Sequence, residues 1–140
     1  MGTIEVFDHT ADVGLRVRGG SLDDLFRTAA EGLFDFIVAN RDAVRLDRVD
    51  RVSLRAESTA DLLFAWVDEL IYRSEVGHLL YGRFDVRLAH DGLSLEAEVA
   101  GEAMDRDRHE LDHEVKAVTR HDFGLVRDGD TWVAELILDI

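Results

Sequence analysis

Two short stretches, far apart in the chain, hold the side chains best suited to chemistry. The first is Asp8-His9-Thr10-Ala11-Asp12-Val13-Gly14. Two carboxylates and an imidazole so close together offer oxygen and nitrogen ligands to a hard or borderline cation, and Gly14 permits a sharp backbone path. The same residue types in a turn also bond their own backbone, which explains the cluster without any ligand. The second stretch runs from Trp132 to Ile140, an apolar strand that closes on Asp139 and on the α-carboxylate of Ile140. Most termini fray, but so apolar a run is expected to be anchored. Asp139 and the terminal carboxylate are then held close together, where they repel unless a cation lies between them. Alternatively, Asp139 only solvates the strand end. A third candidate is Lys116, the one lysine in the chain. It shares a strand face with Val118, and a single lysine among arginines fits a need for a compact, titratable charge as well as it fits biased composition.

Other chemistries find no support. With no cysteine in the chain, disulfides, thiolate metal sites and cysteine nucleophiles are excluded. Arg18-Gly19-Gly20-Ser21 has two glycines but lacks the lysine of a phosphate loop. The six histidines are dispersed; His109 and His113 are four apart, so a zinc pair there requires a helix. None of the serines lies in a nucleophile elbow. The sequence gives no positive case for a nucleophilic enzyme.

Elements that must position the candidates can be read from periodicity. A helix is expected from Leu22 to Ile37, capped by Ser21, with Leu22, Leu25, Phe26, Ala29, Leu33, Phe36 and Ile37 as its apolar stripe. A second starts near Ser58 or Thr59, buries Leu62, Leu63, Trp66, Leu70 and Ile71, and ends just before Gly77. Strands are expected at Ile4–Phe7 and Leu15–Val17, flanking the first candidate stretch, and around Val52 to Ala56 before the second helix. After it come Phe84–Leu88 and Leu93–Val99, joined at His90-Asp91-Gly92, then Glu114–Thr119. Gly124–Val126 and Trp132–Leu138 follow, joined at Asp128-Gly129-Asp130. The class is therefore α+β with mainly antiparallel sheets and two helices, in one domain over residues 1–140. Two helices flanked by strands also hint at an internal duplication, although no residue-level repeat is visible.

Charge narrows the partners. Thirty acidic residues against sixteen basic ones give a net charge of −14. Such a surface repels phosphates, so RNA, if involved, is reached through a partner; divalent cations and basic protein surfaces are attracted instead. High acidity for solubility alone gives the same composition. No apolar run approaches the roughly 20 residues of a membrane span, and the first residues lack a signal-peptide pattern, so a cytoplasmic location without membrane attachment is the default expectation.

Five blocks of this chain together resemble the archease family. They are Asp8 to Gly14, Leu25-Phe26-Arg27-Thr28-Ala29-Ala30-Glu31-Gly32-Leu33, and Leu62-Leu63-Phe64-Ala65-Trp66-Val67-Asp68-Glu69-Leu70. The last two are Val115-Lys116-Ala117-Val118-Thr119 and Leu138-Asp139-Ile140. They are collinear and cover essentially the whole chain. The resemblance implies duplicated strand–helix–strand–strand units. It further implies a non-catalytic protein cofactor that activates RtcB, the metal- and GTP-dependent ligase of tRNA splicing and RNA repair. Such cofactors promote guanylylation of the ligase histidine and multiple turnover. It implies a metal site, calcium in known members, carried here by Asp12, Asp139 and a main-chain oxygen of Ile140, with Asp8, His9 and Lys116 in supporting positions. Arg120 departs from the pattern, since the family commonly has an aromatic residue there. Alternatives are a structural metal-binding interaction module that leaves the ligase unchanged, and a metal-dependent hydrolase.

Overall fold

Strand β1 (Thr3–His9) pairs antiparallel with β2 (Asp12–Gly19), and the chain then turns into helix α1 (Leu22–Ile37). The structure is a computed structural model that describes residues 2–9 and 12–140, with the backbone alone for Asp8 and His9. Ser21 caps α1 as expected, its hydroxyl accepting the Asp24 N–H at 3.1 Å. Asp23 and Asp24 occupy the first turn, where the helix dipole favours negative charge. A 3-10 turn at Arg41–Ala43 leads to β3 (Arg48–Arg55) and α2 (Thr59–Glu75). Ser58 caps this second helix in the same way, accepting the Asp61 N–H at 3.1 Å. Strands β4 (Leu79–Leu88), β5 (Ser94–Ala103), β6 (Ala117–Asp128) and β7 (Thr131–Asp139) complete the element order.

The strands form two antiparallel sheets, ordered β1-β2-β7-β6 and β3-β5-β4. One topological unit generates both. The run β3-α2-β4-β5 places its third strand between the first and second; the run β2-α1-β6-β7 does the same, giving β2-β7-β6 with β1 added outside. The expected duplication is therefore present in the architecture, but nested. One whole strand–helix–strand–strand unit sits between α1 and β6 of the other, so no tandem period runs along the sequence.

Both helices pack between the sheets. Helix α1 contacts β2 of one sheet and β4 of the other, while α2 contacts β6 as well as β3 and β4. The inward residues of both sheets join the helix stripes in one core, including Leu15, Val17, Leu136 and Leu138 from the first and Val86, Leu95 and Val99 from the second. Trp66, fully buried, ties the helices together by donating its indole N–H to the Phe26 carbonyl at 2.9 Å, which satisfies the one polar atom of a large apolar side chain.

Two expectations need correction. Strand β6 begins at Ala117, not Glu114, so Lys116 lies just ahead of the strand rather than within it. It then runs unbroken to Asp128, past the expected gap, because a bulge absorbs the extra residues: Thr119 faces Ile137 and Gly124 faces Glu135, with Asp122 at φ 53°. A bulge re-aims side chains. Here Phe123 meets Phe64 of α2 edge-to-face at 5.3 Å, and the Arg120 guanidinium lies 3.8 Å above the same Phe64 ring. Arg120 also pairs with Asp61 at 2.6 Å. Cation–π stacking thus fills the place where the resemblance leads one to expect an aromatic residue.

Residues 104–116 are almost without regular structure, with a bridge from Leu111 to Val38. The segment is tied down by Glu102. Its Oε2 accepts the Arg45 N–H at 2.7 Å and lies 2.8 Å from His109 Nε2, and its Oε1 pairs with Arg108. His109 Nδ1 accepts the Asp105 N–H at 2.8 Å, so Nε2 is the ring's donor to Glu102. His113 instead stacks on Phe36 at 4.1 Å. With no helix between them and different partners, the two histidines do not form a zinc pair. Burial opposes the negative charge of Glu102, but the Arg45 N–H, the His109 ring and Arg108 outweigh it and hold the carboxyl at about 2.

This lowered value makes Glu102 a source of pH-dependent stability. A carboxylate titrating lower in the folded than in the unfolded state stabilises fully above the unfolded value of 4.5, and that contribution fades as pH falls towards about 2. We expect Glu102→Gln to cost about 1–3 kcal/mol at neutral pH, measured by urea unfolding. The difference from the parent protein should shrink steadily between about pH 5 and pH 2. A gap that stays constant over that range would contradict the assignment.

Candidate functional site

Antiparallel register brings the two ends of the sequence pattern together. Strand β2 lies between β1 and β7, with Asp12 directly opposite His9 on one side and Asp139 on the other. On β7, Asp139 in turn faces Ala117 of β6. Directly opposed residues point to the same face of a sheet, about 5 Å apart at Cα. Val13, Leu15 and Val17 point into the core, so Asp12, Gly14 and Arg16 point away from it. Asp12 and Asp139 therefore stand side by side on the outer face, at one tip of the four-stranded sheet.

The next two rows explain why the tip is held in this shape. Phe7, Gly14, Ile137 and Thr119 form the second row. A Cβ on Gly14 would run into the Phe7 ring, so the phenyl ring crosses the strand where glycine leaves room. Ile137, opposite Gly14 on β7, is 1% exposed although it points outward. In the third row Arg16 bonds Glu135 at 2.7 Å and Glu5 at 2.9 Å. Its guanidinium also lies 4.9 Å from the Phe7 ring centroid. These carboxylate bonds raise the Arg16 pKa further above its ordinary range.

Of the six residues singled out from the sequence, register joins Asp12 and Asp139 directly. Ile140 follows β7 and is 41% exposed. Lys116 is exposed, and its backbone N–H donates to the Asp139 carbonyl at 2.8 Å, so it borders the tip through its main chain. The Asp8 and His9 backbones pair with Val13 and Asp12; their side chains, and Thr10 and Ala11, lie outside the described residues.

Among the described residues the donors at the tip are oxygens: the carboxylates of Asp12 and Asp139 on adjacent strands and the main-chain carbonyl of Ile140. That chemistry fits a hard cation such as calcium or magnesium and suits soft metals poorly. Among the described residues no three His, Asp or Glu side chains converge as a preformed metal cage. Among the described residues, too, no helix is long and apolar enough to cross a membrane. Sequence spacing did not reveal the Phe7–Gly14 contact, because β1 and β2 register decides which residue faces the glycine.

The fold and this tip can be compared with known proteins. The model of the Archease protein family matches residues 4–140. Curated relatives named protein archease include one from Pyrococcus abyssi, 36% identical over 139 residues and covering 97% of each chain. One from Methanopyrus kandleri is 33% identical over 138 residues, covering 97% of this chain and 98% of its own. Among solved structures, protein 1598 of Methanobacterium thermoautotrophicum superimposes with a TM-score of 0.85 at 32% identity, over 98% of both chains. A Thermotoga maritima protein described as an archease and possible chaperone shares the fold at 21% identity, with a TM-score of 0.68.

The close approach of Phe7 to Gly14 yields a coupled pair of substitutions. Gly14→Ala should cost about 1–3 kcal/mol in the parent protein, because the ring must leave its place over the strand. In a Phe7→Ala background the same change should cost much less. Thermal or urea unfolding of the four proteins of this cycle measures the coupling; equal costs in both backgrounds would show that the ring does not impose the glycine.

Proposed function

This chain belongs to the archease family, and from that membership we propose that it is a non-catalytic, metal-binding activator of the RNA-splicing ligase RtcB. The observation that carries the reading is the register that sets Asp12 opposite Asp139. The two blocks that the resemblance assigns to one metal site fall on adjacent strands, and their carboxylates share one face. A net charge of −14 supports a basic protein partner over direct RNA binding.

The chain's own residues contribute charge and position. The carboxylates of Asp12 and Asp139 and the main-chain oxygen of Ile140 would hold a divalent cation, in the family calcium. Such a cation, when bound, supplies positive charge to which phosphate oxygens are drawn. Phe7 across Gly14 and the Arg16–Glu135 pair keep β2 and β7 in register beneath the carboxylates, so the tip meets its partner preorganised. The acidic tip approaches the basic, nucleotide-binding centre of the ligase, where it favours guanylylation of the ligase histidine and repeated turnover by placing charge. This chain forms no covalent bond in that account.

The test is GMP transfer to the cognate ligase under multiple-turnover conditions. The parent protein should stimulate it, and Asp12→Ala and Asp139→Ala should each lose at least 90% of the stimulation while keeping a cooperative unfolding transition. Calcium should raise the melting temperature of the parent protein and leave Asp139→Ala unmoved. Full stimulation by either folded variant would reject the tip as the working part. Calcium binding without any stimulation by the parent protein would favour the interaction-module alternative, whereas hydrolytic turnover with no ligase present would favour the enzyme alternative.

A further inference from the structure

The C-terminal end of α2 exposes two large apolar side chains one helical turn apart: Tyr72 is 61% exposed and the C-cap residue Val76 59%. The helix buries Leu62, Leu63, Trp66, Val67, Leu70 and Ile71, so Tyr72 and Val76 fall on its solvent side. Nothing in the core requires them there. Single exposed apolar residues are ordinary, but adjacent ones rimmed by charge mark contact surfaces, and tyrosine is a favoured anchor in such surfaces.

The pair lies in a groove of about 380 Å³ lined also by Asp68, Glu69, Glu75 and Lys116. Its charges are unevenly satisfied. Glu69 is neutralised by Arg73 at 2.7 Å, whereas among the described residues no cation pairs with Asp68 or Glu75. The groove exists because of where β6 begins. Toward its N-terminus α2 is covered by the β6 bulge, through Phe123 and Arg120 on Phe64. Toward its C-terminus β6 does not cover it, since β6 starts only at Ala117; there Arg73 reaches β3 instead, at Asp50 and the Arg51 carbonyl. Lys116 connects this groove with the tip, lining the first and donating its backbone N–H to Asp139 of the second.

We propose that this groove is the docking surface for the ligase, and that its occupant is a segment of that partner carrying an apolar side chain between lysine or arginine residues. The inference rests on the ligase reading above. The apolar side chain packs on Tyr72 and Val76, and the basic residues pair with Asp68 and Glu75. A second copy of this chain is disfavoured as occupant, since each copy carries −14 and would set carboxylates against carboxylates. Continuity through Lys116 assigns the two surfaces different tasks: the groove supplies affinity and the tip supplies stimulation.

The experiment is a titration of ligase guanylylation with the parent protein, with Tyr72→Ala/Val76→Ala and with Asp68→Lys/Glu75→Lys, each checked for its unfolding transition. Both double variants should raise the concentration for half-maximal stimulation at least tenfold while approaching the parent plateau. The charge-reversed one should also flatten the salt dependence of that concentration. Asp139→Ala should instead lower the plateau. An unchanged half-maximal concentration for both folded double variants, with the parent protein active, would overturn the groove and leave the ligase reading standing. Loss of stimulation by the parent protein would overturn both. Sedimentation that finds a dimer of the parent protein and a monomer of Tyr72→Ala/Val76→Ala would assign the groove to a second copy and reject the proposal.

Discussion

The pairing of β2 with β7 is the interaction on which the rest of the molecule depends. These strands lie near the two ends of the sequence, yet they are the interior pair of the four-stranded sheet. Their register runs from Asp12 opposite Asp139 to Gly19 opposite Trp132. Along it, Leu15 and Leu136 point together into the core, and Gly14 and Ile137 point together outward. A slip of one residue would reverse every side chain of one strand, exposing leucine and valine and turning the tip carboxylate inward. The energy of the apolar core therefore fixes the geometry of the acidic tip, although no tip residue belongs to the core.

Electrostatics divides the surface in a similar way. A chain this acidic has too few cations to pair every carboxylate, and where the pairs fall is informative. Arg16 bridges Glu135 and Glu5 on the outer sheet face, and Arg108 and His109 meet Glu102 under the irregular segment. Asp50 accepts the Tyr81 hydroxyl at 2.6 Å and two N–H···O contacts from Arg48 at 3.0 Å. Burial and the neighbouring Asp50 push the Tyr81 phenol up to about 12, against the opposing pull of Arg73. Such pairs hold loops and strand edges. Among the described residues no cation pairs with Asp68 or Glu75, and they line a groove with Lys116, whose backbone N–H bonds Asp139. Negative charge is thus left available where β6 does not cover α2.

Much of this architecture was legible from the residues. Capping serines and three-four spacing marked both helices closely, because an amphipathic stripe ending at a cap is a strong local signal. Alternation and the Asp-Gly turns marked the strands and their antiparallel sense. What local pattern could not carry was long-range: the sheet order, the bulge that joins two expected strands into β6, and the nesting of one unit inside the other. The segment from Glu114 to Lys116 reads as strand by alternation, but strand pairing with β7 begins only at Ala117 opposite Asp139, with the Lys116 N–H bonded to the Asp139 carbonyl just ahead of it. For the candidate site, the residue types were visible and their proximity was not. Asp12 and Asp139 were joined in the sequence only through the archease resemblance; the register of β2 and β7 sets them opposite each other. Tyr72 and Val76 lay outside the expected stripe of the second helix, and spacing alone does not tell whether another element covers that side.

Nesting also bears on how the two surfaces come to be neighbours. In a tandem duplication each helix would pack mainly on its own sheet. Here the inserted unit lies between α1 and β6, and its helix α2 reaches across to β6 of the enclosing unit, while α1 of the enclosing unit packs on β4 of the inserted one. Each helix therefore joins one sheet to the other, and the Trp66–Phe26 bond closes the middle. The exchange brings the C-terminal part of α2 beside the start of β6, and the start of β6 is paired with Asp139. Proximity between the groove on the inserted helix and the tip of the enclosing sheet thus follows from topology, with Lys116 as the short piece of chain between them.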